Sequence, residues 1–269
     1  MLYHFLSVII FYLSRQKIWG INLIIKIYIK IYKVDMSIAK YQNISHYKTL
    51  NQFFTREIKK SARPIDNDNK SITSPVDGAI SQFGVINNGT IIQAKNHNYQ
   101  LSDLIANDSP EIKNFENGHF ITIYLSPKDY HRIHMASDGI IQKMTHIPGK
   151  LFSVSAKTVN KTPNLFARNE RLVCLFKNND GFKFGQILVA AVNVSAIETT
   201  WAGLIKAQKN KQIKKTSYSK QPQIKKGDEM GRFNMGSTVI LLFPEKIKFA
   251  SNLKIGQDIQ LGNKIAIKL

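Results

Sequence analysis

After Asn51 the chain is broken at close intervals by Gly, Pro and Asn into short apolar, β-branched runs, and that spacing leaves little choice of fold. Runs at 79–86, 120–125, 139–147, 172–176, 186–197 and 238–243 read as strands. Many short strands separated by turn signals build an antiparallel sheet rather than alternating βαβ units. A short helix fits 101–107, with Ser102 as its cap. No internal repeat appears, and no low-complexity tract beyond a lysine run. The expected fold class is α+β, a mainly antiparallel β core with an N-terminal, membrane-associated helical region. The turn Arg63-Pro64-Ile65-Asp66 separates the two expected domains, a helical membrane-binding region at 1–60 and a β-rich catalytic domain at 61–269.

Residues 1–14 are mostly apolar and contain no Lys, Arg, Asp or Glu. As a helix they would span ~21 Å, short of the roughly 30 Å hydrocarbon core of a bilayer. A secretory signal fits poorly, because no basic stretch precedes them and no small-residue cleavage site follows. In 21–34, Lys26, Lys30 and Lys33 fall at i, i+4 and i+7, which gathers them on one helical face. Leu23, Ile24, Ile27 and Ile31 lie largely elsewhere, and Tyr28 and Tyr32 are placed for an interface. That pattern suits a helix lying in the membrane plane with its lysines toward phosphates. Two rivals stay open: Ile-Lys-Ile-Tyr also alternates as a strand would, and a helix docked on the protein's own core shares the periodicity.

The formal net charge of +20 calls for a negatively charged partner, either nucleic acid or anionic lipid. Residues 1–60 carry ten Lys/Arg against Asp35 and Glu57, and 206–226 carry eight lysines and no acid. The second run reads as a solvated, mobile loop or as a phospholipid-facing segment. No zinc spacing, helix-turn-helix or RRM-type aromatic pattern supports nucleic acid as the partner. The single cysteine, Cys174, lies in the apolar run Leu172-Val173-Cys174-Leu175-Phe176 and reads as core. It excludes an intrachain disulfide and a CxxC metal site, and no metal is expected.

Three stretches carry chemistry. Ser74-Pro75-Val76-Asp77-Gly78 puts an acid in a tight turn before a strand, which alone is ordinary. Asp129-Tyr130-His131-Arg132-Ile133-His134 puts two histidines beside a strand end, where either could serve a structural role. Gly236-Ser237-Thr238 opens the apolar run Val239-Ile240-Leu241-Leu242-Phe243. A glycine before a hydroxyl at the mouth of a strand allows a strained carbonyl to be attacked, although most such pairs are plain turns. Together they offer Asp77, His134 and Ser237 as an acid, a base and a nucleophile. Residue chemistry alone stops there.

At these residues the sequence closely resembles the bacterial-type phosphatidylserine decarboxylases. The likeness runs in one order over roughly 30–245. It takes in Phe53-Phe54-Thr55-Arg56, Arg63-Pro64-Ile65-Asp66, Ser74-Pro75-Val76-Asp77-Gly78, Gln93-Ala94-Lys95-Asn96-His97-Asn98-Tyr99 and Tyr130-His131-Arg132-Ile133-His134-Met135. Further on it includes Pro148-Gly149-Lys150-Leu151-Phe152-Ser153-Val154, Glu198-Thr199-Thr200-Trp201-Ala202-Gly203 and the approach to Ser237.

The resemblance implies a self-processing enzyme. Ser237 would attack the Gly236 carbonyl and shift the chain from nitrogen to oxygen as an ester. Elimination would then release 1–236, the β chain, and leave a pyruvoyl group capping 237–269, the α chain. In such enzymes that group forms a Schiff base with the lipid's serine amine and draws electrons as carbon dioxide leaves, yielding phosphatidylethanolamine. The resemblance places Asp77 and His134 as the serine's helpers. His131 is a candidate for proton transfer or substrate positioning. Implied partners are phosphatidylserine, an anionic membrane surface and the paired α and β chains as a heterodimer, with a dimer of these left open and no nucleic acid. The implied location is the cytoplasmic face of the cell membrane, held peripherally.

Two departures stand out. Met235 replaces the family's usual leucine before the Gly-Ser pair, which conserves volume, and Ala136 stands where proline is common. A membrane-surface serine hydrolase is the first rival reading, but Ser237 lies in no Gly-x-Ser-x-Gly elbow and precedes a strand rather than a helix. A pyruvoyl decarboxylase of a soluble amino acid is the second, and the apolar N-terminus argues against it.

Overall fold

The computed structural model describes residues 12–95, 97–191, 197–205, 212–218, 222–234 and 237–269. Its largest element is an antiparallel sheet of nine strands. In order across the sheet these are Lys214–Thr216, Gly139–Ile147, Arg171–Lys177, Lys183–Ala190, Ser237–Phe243, His119–Leu125, Gly78–Val85 and Asp258–Ile259, with Gln223–Ile224 also on Gly139–Ile147. A four-stranded sheet joins Gly203–Ile205, Ile197–Thr199, Glu229–Phe233 and Arg132–His134, and a three-stranded sheet joins Ser71–Thr73, Lys264–Lys268 and Ile247–Phe249. The α+β expectation agrees with this mostly antiparallel architecture and its few short helices.

Ser237–Phe243 is buried along its whole length, which its unbroken apolar sequence anticipates. It pairs on both sides, with Ser237 opposite Leu125 and Ala190, and Leu242 opposite Phe120 and Gly185. Val239, Ile240, Leu241, Leu242 and Phe243 are all fully buried. At ~1.5–3 kcal/mol each, their gross contribution is on the order of 10 kcal/mol, so the strand after the serine is a main beam of the core.

Two expectations are corrected. The run 186–197 is not one strand: Lys183–Ala190 ends in the large sheet, and Ile197–Thr199 begins anew in the four-stranded sheet. The apolar pattern continues because both pieces are buried. The helix expected at 101–107 is the single turn Leu101–Leu104, and Gln100, not Ser102, occupies its N-cap without a side-chain bond. Ala106 and Asn107 take left-handed backbone angles that end it. Part of the lysine run is also ordered, since Lys214–Thr216 forms the sheet's edge beside Gly139–Ile147. Lysines there discourage further strand pairing.

The helix Ile21–Tyr32 is three-sided. Ile25 is buried, and Ile21, Tyr28 and Ile29 pack with it against Val34, Tyr47 and Phe53 in a small cluster separate from the main core. Leu23, Ile24, Ile27 and Ile31 are exposed, as are Ile18 and Trp19 just before the helix. Among the described residues no helix is long and apolar enough to cross a membrane. The stretch 1–11 lies outside them. The Tyr28 hydroxyl donates to the Pro127 carbonyl at 3.0 Å and ties the helix to the loop that carries the histidines.

Candidate active site

Ser237 starts the central strand and is fully buried, and its Oγ has no hydrogen-bond partner among the described residues. A buried hydroxyl without a partner is costly, a state that Ser237 shares with Thr238 beside it and Thr122 on the paired strand. Gly236 and Met235 lie outside the described residues. Two segments lead toward Ser237 and meet at His131. Leu125, the strand partner of Ser237, runs through a tight turn into His131, whose carbonyl accepts from Phe233 N at 3.1 Å.

His131 is fully buried under Phe54, with ring centroids 4.1 Å apart. Its Nδ1 lies 2.8 Å from the Asp129 carbonyl, so Nδ1 carries the proton and Nε2 the lone pair. Nε2 is buried with no partner among the described residues. Burial, assisted by the nearby Arg56 charge, pushes the imidazole pKa down to about 3, which keeps it neutral. His134 has the same tautomer for a similar reason: Nδ1 lies 2.7 Å from the Gly227 carbonyl. The Tyr130 hydroxyl meets its Nε2 at 3.0 Å, and burial lowers this histidine's pKa as well. Both rings are therefore held neutral, with the lone pair on Nε2.

Asp77 is almost fully buried in the turn before Gly78–Val85. Arg63 grips it as a fork, Nε to Oδ1 at 2.8 Å and Nη2 to Oδ2 at 2.7 Å, and Leu261 N donates to Oδ1 at 2.9 Å. A side chain at Gly78 would strike the Tyr124 carbonyl, so only glycine lets this turn close on the next strand. His134 N donates to the Pro75 carbonyl at 2.8 Å, which seats the histidine strand on the same turn. Among the described residues no hydrogen bond joins Asp77 to His134, or His134 to Ser237. The geometry thus gathers the turn, the two histidines and the serine strand, with the Asp77 carboxylate and the His134 ring engaged by other partners.

Arg63, Tyr130 and Gly227 hold these groups and went unassigned in the sequence. In the sequence Arg63 reads as part of a turn and of the family likeness without a role of its own, and Gly227 is not singled out. Gln93 is similar: its side chain bonds the Val159 and Thr162 carbonyls and Leu165 N, and so fastens the 159–165 segment. A mostly apolar cavity of about 280 Å³ opens nearby, lined by Ala79, Tyr124, Val154 and Ile255 among others.

The family description phosphatidylserine decarboxylase matches residues 50–267, a span that includes every residue of this site. The chain belongs to the phosphatidylserine decarboxylase family. A relative from Vibrio parahaemolyticus serotype O3:K6, named phosphatidylserine decarboxylase proenzyme, is 45% identical over 250 residues, covering 91% of this chain and 87% of its own. Proteins of the same name from Haemophilus ducreyi and Alcanivorax borkumensis are 43% and 44% identical, and cover 95% and 97% of this chain and 88% and 91% of their own lengths. The family likeness read from the motifs thus extends over most of the sequence. The word proenzyme in these relatives' names is consistent with a phosphatidylserine decarboxylase that is processed.

Proposed function

We propose that this chain decarboxylates phosphatidylserine to phosphatidylethanolamine, using a pyruvoyl group that it makes from Ser237. The observation that carries the reading is the buried Ser237 hydroxyl without a partner, in a chain whose relatives are named as proenzymes. Attack by Oγ on the Gly236 carbonyl forms an ester and frees the Ser237 nitrogen. Loss of the Cα proton expels Gly236 as a carboxylate on 1–236, taking the serine oxygen with it. Water then replaces the nitrogen, which leaves as ammonia, and Cβ becomes a methyl. The site suits that product, because a methyl needs no partner where the hydroxyl had none. When formed, the group would supply an electron sink for the carbanion left as carbon dioxide departs.

The chain's own residues do the rest. His134, with Nδ1–H anchored on Gly227, offers Nε2 as the base for the serine once the Tyr130 hydroxyl yields it. Asp77 joins the machinery by holding Arg63 and the Leu261 amide, which fixes the α chain against the β chain. His131, neutral with a bare Nε2, is the candidate to position the substrate, or to relay to its α-carbon a proton that Nε2 must first take up. Burial keeps bulk water from the site. The exposed apolar side of Ile21–Tyr32, next to Lys26 and Lys30, would rest on the anionic membrane where the lipid is found. That face, carried by the region 1–60 ahead of the β-rich body 61–269, supports a peripheral position on the membrane, and the cytoplasmic face is the one proposed.

The decisive experiment is the intact mass of the purified protein under denaturing conditions, together with carbon dioxide release from carboxyl-labelled phosphatidylserine. The reading expects fragments 1–236 and 237–269, the smaller one lighter by one ammonia than hydrolysis gives, and a Ser237→Ala chain that is whole and inactive. An active Ser237→Ala protein would overturn it.

A further inference from the structure

Arg56 closes the Phe53-Phe54-Thr55-Arg56 stretch and has no task in the mechanism above. It is 2% exposed, yet only Nη2 has a partner, the Lys128 carbonyl at 3.2 Å. Nε and Nη1 are buried with none among the described residues. The Phe53 ring faces the guanidinium at 5.4 Å. The acids that act on it are already engaged, Asp77 by Arg63 and Leu261, and Asp129 by the amide and hydroxyl of Ser126, both at 2.7 Å. A guanidinium does not shed its proton, so burial leaves a cation that makes no ion pair with Asp77 or Asp129 among the described residues, although both attract it. An incoming anion would relieve that arrangement.

The surroundings suit one. Arg56 lines a cavity of about 330 Å³ together with His46 and Lys48, and with Arg132 and Arg232, which are held by Glu57, Glu229 and Glu198. Glu57 also lines it, but Glu57 is taken up by Lys40 and Arg132. Arg56 grips the carbonyl of Lys128, three residues before His131, and its neighbour Phe54 packs on the His131 ring. The bare guanidinium therefore adjoins the loop that connects Leu125 to His131.

We propose that Arg56 binds the phosphate ester of the substrate's headgroup and so places the serine amine and carboxylate for reaction. The proposal rests on the phosphatidylserine reading above. Phosphate is the better partner than the substrate's carboxylate. The carboxylate must lose its charge as carbon dioxide, so an arginine on it would stabilise the ground state and slow the reaction. The phosphate keeps its charge throughout, and binding it costs nothing at the transition state. One oxygen and one methylene separate phosphorus from the serine Cα, so fixing the phosphate also fixes the reacting carbon.

The test compares full-length wild type with Arg56→Gln and Arg56→Lys, using dihexanoyl phosphatidylserine as a soluble substrate. Both variants should yield the same two fragments as wild type. Loss of a charge-assisted bond should raise KM about 10- to 100-fold in Arg56→Gln, with kcat within about twofold and partial recovery in Arg56→Lys. Melting temperature should hold or rise, because an unpaired buried charge is removed. Dihexanoyl phosphatidylglycerol should inhibit wild type competitively, more strongly than inorganic phosphate, and should fail against Arg56→Gln. Stronger inhibition by inorganic phosphate would assign the site to a free anion and overturn the headgroup proposal. An unchanged KM, or a fall in stability with normal KM, would overturn it in favour of a purely structural arginine. If wild type is uncut or leaves phosphatidylserine intact, the reading of function fails separately. Equilibrium titration with dihexanoyl phosphatidylserine then decides the site: binding lost in Arg56→Gln supports it, and equal binding in both proteins sinks it.

Discussion

Replacing Arg63 by Met in the uncleavable Ser237→Ala chain probes the support beneath the site without the complication of processing. The Arg63–Asp77 fork has contacts of 2.8 and 2.7 Å, and the two side chains are 12% and 8% exposed. Removing the arginine leaves a buried carboxylate with a single amide donor, Leu261 N. Breaking such a pair costs about 3–5 kcal/mol, and the slight exposure here favours the lower end. For a chain of this size, each kcal/mol shifts melting by ~2–4 °C, so a fall of about 10 °C is expected. The double variant Arg63→Met/Asp77→Asn removes both charges and keeps an acceptor for Leu261 N. It should recover most of the loss, giving a coupling of about 2–3 kcal/mol by urea unfolding. Additivity within about 0.5 kcal/mol would refute the reasoning and make the fork incidental.

The cleaved fragments should co-elute on gel filtration and separate only in denaturant, because 237–269 supplies the central strand between Lys183–Ala190 and His119–Leu125; spontaneous dissociation in buffer would contradict this. Ile27→Asp and Ile31→Asp, both at exposed positions, should leave melting within about 1 °C but abolish sedimentation with vesicles containing phosphatidylserine; unaltered sedimentation would remove the helix from the membrane. Burial pushes His131 down to about 3, so the folded chain stays unprotonated where the unfolded chain, near pH 6.5, takes up a proton. The stability contributed by this group is full above about pH 6.5 and lost as pH falls toward about 3; His131→Gln should flatten the urea-midpoint profile over that window, and an unchanged slope would count against a buried neutral imidazole.

Much of the fold was legible because its signals are local. The run 139–147 was located to the residue and 238–243 to within one, since apolar runs bounded by turn residues have few other uses. The misreadings came where two burial environments follow one another. Nothing in Val189-Ala190-Ala191 announces that the chain leaves one sheet before joining another at Ile197. The helix 101–107 shortened because Arg171 takes the Asp103 and Leu104 carbonyls from 67 or more residues away, which no local propensity reports. Ala136, where proline is common, holds its place through its carbonyl, which accepts from Thr73 N at 2.9 Å.

By itself the sequence determined the antiparallel class, the apolar strand behind Ser237, the amphipathic pattern of 21–34 and the set of residues that carry the family likeness. Those follow from spacing and side-chain chemistry, which are properties of the chain as a string. Only the tertiary structure decided that Arg63 rather than His134 holds Asp77, that Gly227 and Tyr130 hold His134, and that Arg56 is buried with bare nitrogens. Each of those contacts except Tyr130 to His134 spans 14 residues or more, and a partner at that distance is selected by how the sheets stack, not by neighbours along the chain.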